Sequence, residues 1–202
     1  MTYIYILENL LNEHLKDFTF QDGNSLLECD FLDTYSNYIV DYLNANKIDA
    51  FSMKQWDIQK QSYINQVIKD HGKYVDPYTK WRSVPISYLR KYYYGINYLN
   101  PMSYKFYIQS LMWNYVKNRD LFIKEINFLE PWFDSLSPLN EGFCIDDDKF
   151  TKFTNISLIE GRLIACFLFC IYHEPLISED IKKITKDLNY SFWMTWKYML
   201  PF

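Results

Sequence analysis

Residues 101–116 restrict the possible folds of this chain more than any other segment. Asn100 and Pro101 open it in the manner typical of a helix start, because asparagine caps the first amides and proline fits the first turn. One stripe of the helix carries Tyr104, Tyr107, Ile108, Leu111 and Tyr115. Phe106 and Trp113 fall on the opposite side. A helix that is apolar on two faces is covered on both, so we predict a central core helix, with a partner over the Phe106/Trp113 face as the alternative.

Helical periodicity continues along most of the remaining chain, and neither an internal repeat nor a strand-like alternation interrupts it. The predicted helices cover 3–18, 31–43, 52–70, 85–94, 101–116, 120–129, 157–173 and 178–199. Together these segments predict an all-α fold of about seven or eight helices, with the aromatic-rich helix 101–116 near its centre. At 202 residues the chain is most economically a single domain, residues 1–202.

Helix ends are predicted from short local signals. Ser157 and Glu160 have the spacing of a capping box, in which each side chain satisfies an orphan amide. Gly95 and Pro131 are predicted to end the helices that precede them. His14 lies on the apolar stripe of the first helix and is therefore predicted to be a core residue.

Composition and charge exclude several classes of protein. Hydrophobic residues make up 49% of the chain and charged residues 23%, which is typical of a globular protein. The net charge is −4, with no basic stripe, so nucleic-acid binding is not expected. The N-terminus lacks the pattern of a signal peptide, and the most apolar run, 163–172, is about half a membrane span. We therefore expect a cytoplasmic protein without membrane contact, whose four cysteines are reduced thiols.

The aromatic excess has a compositional explanation. Aromatics form 20% of the chain, and lysine outnumbers arginine 17 to 4. Tyr, Phe, Lys, Asn and Ile share AT-rich codons, so a drift in base composition enriches them together. We therefore interpret the excess as a whole as compositional, with selection for aromatics at single positions as the alternative.

Cys166, Cys170 and His173 are spaced to share one helix face, and thiolate and imidazole are ligands that zinc prefers. Apolar residues surround them, and no charged residue lies between them in the sequence. A buried free cysteine behaves as a small hydrophobe. We therefore predict core residues here, no metal and no cofactor, and keep a helical metal-dependent enzyme or regulator as an alternative.

An acidic segment is the strongest candidate for a binding surface. Asp146, Asp147 and Asp148 are consecutive, and Glu141 and Trp132 precede them. Charge runs are usually solvated loops, and no calcium-loop spacing is present. As a functional alternative, the carboxylates and the tryptophan predict a contact surface for a basic protein, with Trp132 as its aromatic anchor.

A catalytic role finds little support in the sequence. The chain has three histidines and five glycines, and it lacks nucleophile-elbow, phosphate-loop and metalloprotease motifs. The expectation is a protein that is not an enzyme.

The segment "WRSVPISYLRKYYYGINYLNPMSYKFYIQSLM" resembles the signature of a family of small, uncharacterised bacterial proteins. The matching residues are Trp81, Pro85, Leu99, Pro101, Phe106 and Tyr107. The segment "FTNISLIEGRLIACFLFCIY" is similar to that family's C-terminal helix. A Pro-Ala pair frequent in the family is replaced here by Gln109-Ser110. The resemblance implies a bacterial accessory protein, a group in which partners of toxins are common.

The sequence as a whole therefore predicts an immunity-type protein, which neutralises a cognate basic toxin or effector by direct contact. The alternatives are the metal-dependent protein described above and a homo-oligomeric structural protein assembled through its aromatic helix.

Overall fold

The computed structural model describes residues 2–16, 25–27, 29, 78–137 and 151–193, without the side chains of 189–191. Seven α-helices lie within these ranges: α1 Thr2–His14, α2 Ile86–Lys91, α3 Pro101–Lys117, α4 Arg119–Glu125, α5 Glu130–Ser135, α6 Leu158–Tyr172 and α7 Glu179–Ser191. Three short 3₁₀ helices, Trp81–Ser83, Tyr93–Tyr98 and Ile126–Leu129, connect them. No strand occurs in these ranges, which confirms the all-α prediction. The predicted helices 31–43 and 52–70 lie outside the described residues.

Helix α3 lies at the centre of the described core, as predicted. Twelve of its 17 residues are buried. Phe106 is fully buried inside the chain, whereas Trp113 is half-buried and packs edge-on against Trp81 at 5.7 Å. The described residues of α1, of the segment around Leu26 and of all later helices contribute to the same hydrophobic cluster. The second apolar face of α3 is therefore covered mainly by the chain itself.

Asn114 and Ser110 on α3 are paired within the core. The Asn114 amide donates hydrogen bonds to the carbonyl oxygens of Val84 and Ser110, both at 2.8 Å. The Ser110 hydroxyl donates to the Phe106 carbonyl at 2.9 Å. These bonds let polar residues lie inside an otherwise apolar contact region, where an unpaired group would be costly.

Two predicted helix ends are wrong. Pro131 does not end a helix; it lies in the first turn of α5, where its missing amide hydrogen is not needed. Gly95 does not end one either, because α2 already stops at Lys91 and the 3₁₀ helix Tyr93–Tyr98 runs through this glycine. The prediction of His14 as a core residue is also wrong, because this residue is exposed at the end of α1.

Three predicted helix starts are confirmed. The Asn100 side chain accepts a hydrogen bond from the Ser103 amide at 2.9 Å. At α6 the Glu160 amide donates to the Ser157 hydroxyl at 3.3 Å, and the Ser157 amide donates to the Glu160 carboxylate at 2.9 Å. The Ile181 amide donates to Ser178 at the start of α7.

We predict that Ser157→Ala lowers the free energy of unfolding by about 1 kcal/mol, because one amide of α6 loses its acceptor. Ser157→Thr, which keeps the hydroxyl, should stay close to the wild type. Urea unfolding followed by circular dichroism measures both variants. Equal losses in the two variants would contradict a capping role.

Candidate functional site

The predicted partner surface is only partly within the described residues. Glu141, Asp146, Asp147 and Asp148 lie outside them. Trp132 lies inside, on α5, and is fully buried. The prediction of Trp132 as an accessible aromatic anchor is therefore corrected.

Trp132 is buried because α5 turns its aromatic side inward. Its indole N–H donates a hydrogen bond to the Leu89 carbonyl at 3.2 Å, which ties α5 to α2. Phe133 and Leu136, on the same short segment, are also fully buried. The one- and four-residue spacing of Trp132, Phe133 and Leu136 was the available signal of an inward-facing helix turn.

Two aromatic side chains hold the end of α5. The Tyr104 hydroxyl donates a hydrogen bond to the Ser135 carbonyl at 2.8 Å. The Trp193 indole N–H donates to the Leu136 carbonyl at 3.1 Å. Burial raises the pKa of Tyr104 although its bond to Ser135 acts to lower it, so this hydroxyl stays protonated and remains a donor.

The same two side chains also contact the far flank of the acidic segment. Phe153 is fully buried, and its ring lies 5.6 Å from that of Tyr104 and 5.4 Å from that of Trp193. Leu136 and Phe153 therefore meet the same pair of aromatic residues, which we name the Tyr104–Trp193 clamp. In the sequence, residues 138–150, which contain the four predicted carboxylates, lie between Leu136 and Phe153.

The charge of the chain is unevenly distributed. The described ranges hold 14 Lys and Arg against 11 Asp and Glu. The remaining residues hold 7 Lys and Arg against 14 Asp and Glu. Residues 138–150 alone contain four acidic residues and one lysine. The acidic excess that favours a basic partner is thus concentrated in the residues outside the described ranges.

A buried carboxylate, Glu174, joins the end of α6 to α3 and α4. It accepts hydrogen bonds from the Tyr115 hydroxyl at 2.6 Å and from Arg119, whose Nε is 2.8 Å from Oε1. A second nitrogen of the Arg119 guanidinium binds the other carboxylate oxygen at 2.5 Å. The pair is bidentate, the geometry in which arginine binds carboxylates most strongly.

The ionised state of Glu174 is stabilised by these bonds. Burial acts to raise its pKa, but the hydrogen bonds from Arg119 and Tyr115 and the charge of Arg119 lower it overall. Burial, and then the bond and negative charge of Glu174, raise the pKa of Tyr115. The arrangement is a satisfied structural link, with every strong group already paired.

The Cys166, Cys170 and His173 side chains do not assemble as a metal site. Cys170 is buried, Cys166 is half-buried and His173 is exposed, with its ring 4.3 Å from that of Phe169. Burial raises the pKa of both thiols, that of Cys170 to about 12. Within the described ranges, no group of three His, Cys, Asp or Glu side chains could hold a metal ion.

Comparison with known proteins gave no relative. No protein-family model, no curated protein and no solved structure matches the chain. The resemblance to the bacterial family therefore stays a prediction. In the part of the chain that the structure describes, no helix is both long enough and apolar enough to cross a membrane.

We predict that Trp132→Phe lowers the free energy of unfolding by about 2 kcal/mol, since a buried hydrogen bond and buried volume are lost together. Phe128→Leu, which also reduces the size of an apolar side chain but at an exposed neighbouring position, should change it by less than about 0.5 kcal/mol. Chemical unfolding of both variants tests whether Trp132 is a core residue and not an accessible anchor. A Trp132→Phe protein with unchanged stability would restore the original surface prediction.

We predict that Glu174→Gln destabilises the chain by about 2 kcal/mol at neutral pH, because Arg119 loses its charged partner. A carboxylate whose pKa is lower in the folded than in the unfolded chain contributes stability above its unfolded pKa. That contribution disappears as the pH falls through the folded pKa. The stability difference between wild type and variant should therefore shrink as the pH falls below the ordinary glutamate value of 4.5.

Unfolding curves measured across this pH range provide the test, with the exposed residue Glu130→Gln as the control. A difference between wild type and Glu174→Gln that does not change with pH would mean that the charge of Glu174 contributes no stability.

Proposed function

We propose that this chain is an immunity-type binding protein of the bacterial cytoplasm, which neutralises a basic toxin or effector by direct contact. The observation that carries the proposal is the acidic segment 138–150, whose two flanks are fixed by the Tyr104–Trp193 clamp. The partner chemistry that fits it is a cationic protein surface, such as the active site of an enzyme that acts on phosphate backbones.

Fixed flanks favour such a role for an energetic reason. A segment that binds must lose conformational freedom, and this loss opposes association. Where packed residues hold both ends of such a segment, part of its conformational freedom is lost when the chain folds, before any partner binds. The clamp residues are buried or hydrogen-bonded to the main chain, so they do not have to rearrange for a partner to bind the segment.

The distribution of charge supports the same proposal. Complementary charge between partners speeds association and disfavours wrong partners. Thirteen residues are too few for a standard interface of about 1,600 Å². Further residues of the chain therefore have to contribute to the same contact.

The alternative of a homo-oligomer assembled through α3 lacks an exposed surface at Phe106. Phe106 is fully buried within the chain, so the face of α3 that contains it is not free to bind a second copy. The metal-dependent alternative finds no group of ligands in the described ranges. Neither alternative is proposed further.

The first experiment is co-purification of the tagged protein from its native host, with the product of the adjacent gene co-expressed. We expect one basic partner in equal amount and inhibition of that partner at a stoichiometry of one to one. Recovery of a monomeric chain without any partner would contradict the proposal.

Once a partner has been isolated, we predict that the triple variant Asp146→Asn, Asp147→Asn, Asp148→Asn associates with it about tenfold more slowly than the wild type at low salt. The difference from wild type should diminish at high salt, because screening weakens exposed charges. The control is Glu13→Gln, Glu130→Gln, Glu179→Gln, which removes the same charge from three exposed positions on α1, α5 and α7. Stopped-flow binding measures the rates.

Equal rates for the two triple variants would assign the effect to net charge and not to the acidic segment. If the control alone slows association, the contact lies elsewhere.

A further inference from the structure

A cavity of about 420 Å³ lies between α1 and α6. On α1 it is lined by Tyr3, Ile6 and Leu7, and on α6 mainly by Ala165, Cys166 and Phe169. Small side chains at Ala165 and Cys166 leave the space that larger apolar residues would fill. The volume lies within the range typical of small-molecule sites.

The walls of the cavity favour an apolar body. Burial raises the pKa of the Cys166 and Cys170 thiols, so neither adds a negative charge near neutral pH. Trp193 also lines the cavity, and its indole N–H is already bonded to the Leu136 carbonyl. Water inside such a space finds few polar partners, and an apolar group that replaces it is favoured.

One end of the cavity carries a cation. Arg162 is exposed, lines the cavity and is the only charged residue among the described lining residues. Among the described residues it forms no ion pair or hydrogen bond, in contrast to Arg90 and Arg119, which pair with Glu125 and Glu174. An unpaired guanidinium beside an apolar cavity is complementary to a carboxylate.

The spacing along α6 defines the shape of the ligand. Ala165 and Cys166 follow Arg162 by about one turn, and Phe169 and Cys170 by about two. The apolar wall therefore extends for about 12 Å from the guanidinium along one helix face. An elongated molecule with one anionic end matches this arrangement better than a compact polar one.

We propose that this cavity binds a linear alkyl monocarboxylate, with its carboxylate at Arg162 and its alkyl chain between α1 and α6. Tyr3 and Ile6, which are 53% and 47% exposed, form the open side through which the ligand enters. The cavity shares Trp193 with the Tyr104–Trp193 clamp, but its test needs no partner protein.

Isothermal titration of the full chain with octanoate, and with 1-octanol as the uncharged analogue, tests the proposal. We expect saturable one-to-one binding of octanoate that is tighter than that of octanol. Arg162→Gln should weaken octanoate binding about fivefold and leave octanol binding unchanged. Lys124→Gln, an exposed cation on α4 that does not line the cavity, should bind both molecules as the wild type does.

The variant Cys166→Leu tests the location of the ligand site. Cys166 is half-buried and lines the cavity, so the larger leucine side chain narrows it. We expect weaker binding of both molecules, with an unchanged circular dichroism spectrum. Wild-type affinity in Cys166→Leu would overturn the location of the site. Equal affinities of octanoate and octanol, or octanoate binding unaffected by Arg162→Gln, would overturn the ligand class, and the absence of saturable binding would overturn the proposal as a whole.

Discussion

The burial of three tyrosine hydroxyls on α3 is the constraint on which the rest of the described structure depends. Tyr104 donates to the Ser135 carbonyl, Tyr107 accepts from the Leu26 amide, and Tyr115 donates to Glu174. Each partner lies on a different segment of the chain. Because an unpaired hydroxyl in a core costs free energy, the three segments are held in one arrangement around α3. The apolar stripe of α3 therefore buries surface, and its tyrosine hydroxyls also determine which segments contact the helix.

The parts of the fold that were predictable depend on neighbouring residues. Asn100 and Ser157 mark helix starts through bonds to amides three residues away, so a short stretch of sequence contains the whole signal. Pro131 shows the limit of such signals. Proline occurs both after the end of a helix and in the first turn of a helix, so the residue alone does not distinguish the two. In the structure Pro131 lies in the first turn of α5, and Trp132 beside it is bonded to the Leu89 carbonyl.

The residues of the candidate site also differ in whether the sequence alone predicts them. The acidic residues of segment 138–150 are visible in the sequence, because consecutive carboxylates need no structural context to be recognised. The clamp was not predictable, since Trp193 reaches the Leu136 carbonyl across 57 residues. Tyr104 was expected in the core for its ring, but its hydroxyl partner depends on where α5 packs. The pairing of Arg119 with Glu174, 55 residues apart, was missed for the same reason.

The clamp has a consequence for how this protein diversifies. The end of α5 and Phe153 contact the same two side chains, those of Tyr104 and Trp193. The bonds from the clamp to the end of α5 go to main-chain carbonyls, which every residue carries. Exchanges of the side chains at Ser135 and Leu136 therefore leave both acceptors in place. The clamp thus restricts the sequence less than a side-chain pair such as Arg119 and Glu174, in which both partners have to be kept.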